Sequence, residues 1–218
     1  LPDSKRRIKG YGPVAAILVV VLTFFGSQIL AGIIIGIAGS LFGQNVESTL
    51  EQLQGSALLQ FAYIATVEAI TLTVLWKFMQ RRSIKLADIG LGRKPKKDDL
   101  GPSVLVFFVY FAALIVVTAV VSRLIPGIDI DQEQQLGFET ITSNMDLVLV
   151  FISLVVLPPI VEEILVRGFL YTGLRKKFKK ISAAIIASLV FGIAHLQLGS
   201  GVAPLWIAAI DTALLSLF

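Results

Sequence analysis

Long runs of apolar residues are the feature that most constrains this chain. A helix needs about 20 apolar residues to cross the roughly 30 Å hydrocarbon core of a bilayer. Backbone groups in lipid must also be satisfied within the segment itself, which an isolated strand cannot do. The sequence therefore predicts an all-α fold, a polytopic transmembrane helical bundle of about six spans, with more spans in the full protein. The runs, of which the last two are shorter, cover residues 14–41, 57–79, 102–125, 147–174, 181–197 and 202–218.

The composition excludes several classes of protein. With 56% hydrophobic and 16% charged residues and a mean hydropathy of +0.84, the chain is too apolar for a soluble fold, so lipid must be part of its solvent. The net charge of +4 does not indicate nucleic-acid binding, because the charges lie in short blocks between apolar runs. Without cysteine and with one histidine, the chain can form no disulfide, thiol nucleophile or two-histidine metal site.

The basic residues alternate with the apolar runs and predict the orientation. Residues 1–10 contain four Lys or Arg, residues 76–99 eight and residues 175–180 five, whereas the loops 43–56 and 126–146 contain none and are acidic. Basic loops remain cytoplasmic. We therefore expect a cytoplasmic N-terminus. The short loops and the basic isoelectric point favour a bacterial inner membrane.

The two ends of the chain do not resemble natural termini. It begins at Leu1 rather than Met, and it stops at Phe218 inside an apolar run. We expect residues 1–218 to form a single membrane-embedded helical domain, and the natural protein to continue beyond residue 218.

Ionisable residues inside the apolar runs are the candidate functional residues, because each costs a few kcal/mol in lipid. Glu68 has no partner nearby in sequence, and a structural role is favoured for it. For Asp211, a structural role and a position facing the same cavity are equally favoured. Arg123 is expected to extend to the interface. The remaining four residues lie close together in sequence, on two neighbouring helices: Glu162, Glu163, Arg167 and His195.

The basic segment 175–180 relates the depths of Glu162 and His195. Glu162 lies 13 residues before Arg175 and His195 lies 15 residues after Lys180, which places them about 20 Å and about 22 Å from the same boundary. Antiparallel helices joined by a short turn therefore bring the carboxylate and the imidazole to nearly one level. That arrangement suits a general-base pair, although a lone interior histidine can equally be a structural hydrogen-bonded residue.

The neighbouring residues predict how this pair is supported. Glu163 and Arg167 have the i,i+4 spacing of a helical ion pair, so we expect them to neutralise each other, which leaves Glu162 as the reactive carboxylate. A purely structural role for the ion pair stays open. The prolines at 158 and 159 are expected to break the helix or to mark where it restarts. Four glycines in the first run predict close helix packing: Gly26, Gly32, Gly36 and Gly39.

Two motifs in this region resemble a known family. Glu162, Glu163 and Arg167 match a Glu-Glu-x-x-x-Arg motif, and Phe191 and His195 match a Phe-x-x-x-His motif. In this order they resemble the CAAX-processing and bacteriocin-processing (Abi) intramembrane proteases. The resemblance covers about residues 140–218. It implies an endopeptidase in which the first Glu and the first His activate a water that cleaves a membrane-associated, prenylated or bacteriocin-like peptide.

The resemblance also implies residues that this sequence lacks. The family uses a second His, with an Asn or Asp four residues later, and no second His occurs before Phe218. Truncation is the preferred interpretation, and the 218 residues alone are then expected to be inactive. No cofactor is favoured, although a zinc ion held by Glu162 and His195 is possible. Two further functions stay open: a non-catalytic membrane scaffold or bacteriocin immunity protein that binds a membrane protein partner, and a proton-coupled transporter.

Overall fold

A computed structural model describes residues 10–93, 96–125, 138, 140–196 and 206–217. The basic residues of positions 1–9 and the acidic residues Asp129, Asp131, Glu133 and Glu139 lie outside this part of the chain. Two short 3-10 turns, Leu86–Ile89 and Lys97–Asp99, connect helices in the described part. Its helices are α1 (Pro13–Leu41), α2 (Val46–Gly55), α3 (Ala57–Arg81), α4 (Leu100–Leu124), α5 (Asn144–Leu174), α6 (Lys180–Ala194) and α7 (Trp206–Leu217).

The all-α prediction is confirmed, with no strand among the described residues. Four helices, α1, α3, α4 and α5, are long and apolar enough to cross a membrane, and α6 and α7 are shorter apolar helices. They follow the predicted runs closely, but α6 ends at Ala194, before the end of its run, and residues 197, 202–205 and 218 of the last two runs lie outside the described residues. The loop predicted at 43–56 contains a helix of its own, α2, which begins with a capping box between Asn45 and Ser48.

Helix α5 continues through its two prolines. A π-helical turn, Ile152–Val156, precedes them, and Leu157 donates its N–H to the carbonyl oxygen of Ile152. The prolines occupy the first turn of the α-helical segment Leu157–Glu162, where a missing N–H is tolerated. A second π-helical stretch covers Glu163–Leu170. The α-helix therefore restarts at the proline pair as predicted, but it does not break, because the wider turn accommodates the missing donors.

The most deeply buried side chains lie around Phe169 in α5. Its ring stacks on Tyr11 with centroids 4.2 Å apart, and the Tyr11 hydroxyl donates a 2.7 Å hydrogen bond to the Phe169 carbonyl. Burial, with the nearby charge of Asp88, raises the pKa of Tyr11, so the phenol remains a donor. The Lys176 ammonium lies 4.4 Å from the Tyr11 ring centroid, and its desolvation lowers the Lys176 pKa. These contacts attach the segment before α1 to α5.

Residues that belong to or adjoin the three predicted basic regions meet at this end of the bundle. Tyr11 follows the N-terminal basic block, Lys176 belongs to the turn after α5, and Arg82 follows α3. The Arg82 guanidinium donates a 3.1 Å hydrogen bond to the carbonyl of Gly10 and lies 5.5 Å from the ring centroid of Phe78. The structure thus places residues adjoining all three basic blocks on one side of the fold.

The close helix packing involves different glycines from those predicted. A Cβ on Gly26, Gly32 or Gly36 would have nothing within 4 Å, so the prediction is wrong for these three; only at Gly39 would a Cβ meet a close neighbour, a Thr49 oxygen at 2.5 Å. Among the described residues, α1 packs instead through its buried positions, which are Ala16, Val20, Thr23, Ser27 and Ala31. Comparably close approaches occur later in the chain, at Gly173 against α1 and at Gly192 against α7.

Replacing Gly192 by alanine tests the contact between α6 and α7. The new Cβ would lie 2.6 Å from the backbone oxygen of Ala209 and 2.7 Å from the Ala213 Cβ. We expect Gly192→Ala to lower the free energy of unfolding by about 1–3 kcal/mol, because α7 must shift outward. Unfolding in detergent micelles measures the change. Gly26→Ala is the matched control, and equal stability of the two variants would contradict the packing.

Candidate active site

A polar cavity lies between α1, α3 and α5. Its volume is about 180 Å³, and both apolar and polar side chains line it. A Ser27–Thr71 hydrogen bond of 2.8 Å joins α1 to α3 beside the cavity. Two ionisable residues of apolar helices, Glu68 and Glu162, lie on its wall, which is the arrangement expected of a functional site. The polar and proline residues on its wall include Ser27, Gln28, Glu68, Thr71, Pro158 and Glu162.

The structure brings Glu162 and His195 together beside this cavity. The Oε1 atom of Glu162 and the Nε2 atom of His195 are 3.6 Å apart. Both side chains are largely buried, with 26% and 18% of their surface exposed. The two residues come from α5 and from the C-terminal end of α6, as the depths relative to the basic turn require. Their separation exceeds a direct hydrogen bond, and a water lying to one side can reach both atoms at about 2.8 Å.

The other ring nitrogen of His195 fixes the orientation of the imidazole. Nδ1 lies 2.9 Å from the Phe191 carbonyl oxygen, and since a carbonyl only accepts, Nδ1 carries a proton and donates it. The ring also packs against Phe191 and Phe24, with centroids 4.5 Å and 5.5 Å away. In the neutral ring, Nε2 then carries no proton, and its lone pair faces the Glu162 carboxylate. Phe191, known from the sequence only as a motif residue, therefore contributes both its backbone and its ring.

Local helix geometry determines which way Glu162 points. It is the last residue of the α-helical segment Leu157–Glu162, one turn after Pro158, which also lines the cavity. The π-helical stretch begins at the next residue, Glu163. Single wide turns of this type are frequent at functional sites because they redirect side chains without ending the helix. Adjacent glutamates consequently occupy different surroundings.

The Glu163–Arg167 ion pair forms, but away from the cavity. Both closest nitrogen–oxygen separations are 3.4 Å, and the Arg167 guanidinium also donates to the Leu215 carbonyl of α7. The side chains are 54% and 38% exposed on the surface of the described bundle. Glu163 is thus not enclosed by protein, as a pair within the site would be. Arg167 instead lines a separate pocket with Tyr171 and Ser216.

The two remaining carboxylates of the apolar runs have different positions. Glu68, for which the sequence favours a structural role, lies on the wall of the same cavity as Glu162. Asp211 accepts a hydrogen bond from the Tyr110 hydroxyl and so links α7 to α4. The sequence offers no signal that would place Glu68 near Glu162, because these residues of α3 and α5 are about 90 residues apart in the chain.

The described residues offer fewer ligands than a catalytic zinc ion needs. Catalytic zinc requires about three protein ligands and a water. Among the described residues, no group of three His, Cys, Asp or Glu side chains could hold a metal. Glu162 and His195 offer two ligands, and the neighbouring Glu163 pairs with Arg167.

Residues 144–218 match the family model described as "Type II CAAX prenyl endopeptidase Rce1-like". The match confirms the resemblance carried by the two motifs and is consistent with a CAAX/Abi-family intramembrane protease. Neither curated proteins nor solved structures gave a match. Together with the four long apolar helices, the family match identifies an integral membrane protein.

Replacing Arg167 tests whether the ion pair is a surface link or a buried one. If the pair faces water in the membrane-embedded protein, Arg167→Gln should lower the free energy of unfolding by about 1–2 kcal/mol, because it removes a water-exposed pair and one hydrogen bond to α7. Glu163→Gln removes only the pair and should cost less. Chemical unfolding of both variants in micelles measures the difference. A loss of about 3–5 kcal/mol in Arg167→Gln would instead indicate a buried charge left without its partner.

Proposed function

We propose that this protein is an intramembrane endopeptidase in which Glu162 and His195 activate a water. The observation that carries the proposal is the 3.6 Å approach of Glu162 Oε1 to His195 Nε2 beside a polar cavity. The family match at residues 144–218 supports a protease of the CAAX type. In this proposal Glu162 and His195 are the catalytic residues, and Glu163 and Arg167 set the position of α5 against α7.

The first step is attack by water on the peptide carbonyl. The Glu162 carboxylate accepts a proton from the water while His195 Nε2 accepts a hydrogen bond from its second O–H. The water oxygen forms a bond to the carbonyl carbon, and the electron pair of the C=O bond moves to oxygen. The Phe191 carbonyl keeps the imidazole oriented during this step, because it holds the proton on Nδ1.

The second step is expulsion of the amine. The proton held by Glu162 passes through His195 to the peptide nitrogen, and the C–N bond breaks as the carbonyl re-forms. The products are a carboxylic acid and an amine, and the two catalytic side chains return to their initial protonation states. For this transfer the 3.6 Å separation between Glu162 and His195 must close to a hydrogen bond of about 2.8 Å, which becomes possible once the attacking water has bonded to the carbonyl carbon.

The reaction as proposed requires no metal. Within the described ranges, Glu162 and His195 are two suitably placed donors, fewer than the ligands that a catalytic zinc needs. A carboxylate and an imidazole instead supply the base and the proton carrier that metal-free hydrolysis requires.

The proposed substrate is a membrane-associated peptide, such as a prenylated CAAX-type or bacteriocin-like segment. A site on membrane helices suits a substrate whose apolar part enters from lipid. The clustering of Tyr11, Arg82 and Lys176 at one end of the bundle supports a cytoplasmic N-terminus. A bacterial inner membrane is the proposed location.

Glu162→Gln tests the assignment of the base. The amide has nearly the same shape and cannot accept the water proton, so cleavage of a farnesylated CAAX peptide should fall by at least about 10²-fold. The assay uses the complete natural protein in proteoliposomes, and gel filtration verifies that the variant is folded. Glu51→Gln, at an exposed carboxylate on α2, is the matched control. A folded Glu162→Gln variant with unchanged activity would remove the catalytic role.

Chelation tests the metal-free mechanism. Peptide cleavage should persist after dialysis against 1,10-phenanthroline, because no step depends on a metal. The rate before and after dialysis, and after zinc is added back, provides the measurement. Loss of activity that zinc restores would replace the mechanism with a metal-dependent one.

A non-catalytic scaffold is the competing function on the same fold. It predicts that the complete protein cleaves no prenylated or bacteriocin-like peptide, and that Glu162 can be replaced without loss of partner binding. The catalytic proposal predicts the opposite for cleavage.

A further inference from the structure

Two carboxyl groups line one cavity in the membrane-embedded part of this fold. Glu162 approaches it from α5 and Glu68 from α3, and the charges of the two groups interact repulsively. Glu162 has His195 beside it at 3.6 Å. Glu68 is half-buried, and no described residue donates a hydrogen bond to its carboxyl group. Glu162 therefore has a neighbouring polar side chain, whereas the Glu68 carboxyl group has no hydrogen-bond donor among the described residues.

The membrane makes this inequality important. Like charges repel more strongly at low dielectric than in water, and two interacting carboxyl groups release their protons as a coupled pair. A single negative charge is the arrangement that costs least. It is better placed on Glu162, which can share a proton or a water with His195, than on Glu68, which has no such neighbour among the described residues.

The elements packed against α3 bring no further charge to Glu68 within the described part of the chain. Helix α1 presents the uncharged Ser27 and Gln28 to the cavity. The α2 carboxylates, Glu47 and Glu51, are exposed. At the start of α5, Asp146 accepts hydrogen bonds from Thr142 and Ser143. On α3 itself, the uncharged side chain of Tyr63 lines the cavity. Glu162 is thus the charged group that faces Glu68.

The geometry points to Glu68 as a positioning residue for Glu162: the pair holds one proton, Glu68 carries it, and the negative charge rests on the Glu162 carboxylate. This inference rests on the proposed function, since it gives Glu68 a role in the same reaction. The consequence is a base that is ionised and ready at neutral pH. Loss of the Glu68 proton at alkaline pH would add a second charge, which would repel the oxyanion formed when water attacks the carbonyl.

Infrared titration of the complete protein in liposomes tests the shared proton without any substrate. The carbonyl stretch of protonated carboxyl groups is followed from about pH 5 to about pH 9. A band present at neutral pH in the wild type should be missing in Glu68→Gln. In Glu162→Gln the band should titrate at least about one pH unit lower, because the charge that retains the proton has been removed. An unchanged midpoint in Glu162→Gln would overturn the inference.

The pH dependence of farnesylated-peptide cleavage tests the catalytic consequence. Glu68→Gln remains neutral at every pH, so its alkaline limb should lie at least about one pH unit above that of the wild type. Glu68→Asp keeps a titrating carboxyl and should retain an alkaline limb. Glu51→Gln, which removes an exposed carboxylate of α2 outside the cavity wall, is the matched control and should leave the profile unmoved. Identical profiles for wild type and Glu68→Gln would also overturn the inference.

The two proposals can fail separately. If Glu162→Gln still cleaves the peptide, the proposed function fails whatever the infrared band does. If Glu162→Gln is inactive but the midpoint of the Glu68 infrared band is the same in that variant as in the wild type, the proposed function stands and Glu68 has only a structural role. Should Glu68→Gln fail to fold, the Glu162→Gln titration still decides the question.

Discussion

The approach of Glu162 to His195 is the interaction on which the account of this protein depends. A lone carboxylate among membrane helices is costly, and the imidazole 3.6 Å away leaves room for one water that can donate a hydrogen bond to each group and so reduce that cost. The pair joins two helices that the short basic turn already makes antiparallel. It also leaves a lone pair on each group facing the same space, because the Phe191 carbonyl holds the other imidazole nitrogen. The atoms through which α5 and α6 approach each other here are thus also the atoms proposed to activate the water.

Helix α5 separates two tasks that its sequence places side by side. Its wide turns at Ile152–Val156 and Glu163–Leu170 keep the helix continuous around two prolines. Glu162 therefore faces the cavity, whereas Glu163 turns outward to Arg167, which reaches α7. A base needs space for water, and an ion pair that links helices needs only its partner. The change of helical pitch between the two glutamates meets both needs.

Local patterns predict the helices and the central pair. Apolar length determines the spans, and depth counted from one basic turn places Glu162 level with His195. The position of Glu68 is not predictable in this way, since it depends on how α3 packs against α5 across a long stretch of sequence. The prediction for three of the four glycines of α1 is wrong for a related reason: small size permits close packing, but tertiary geometry decides where it occurs. The proline pair is ambiguous in sequence because a π-helical turn leaves no clear mark there.

A double-mutant cycle on Glu162 and His195 tests the central claim most directly. The rate of farnesylated-peptide cleavage is measured for the complete protein, for Glu162→Ala, for His195→Ala and for the double variant. Residues that act as a unit on one water give grossly non-additive effects. The account predicts that the double variant is scarcely slower than either single one. Effects that multiply independently would contradict it, because each residue would then contribute without the other.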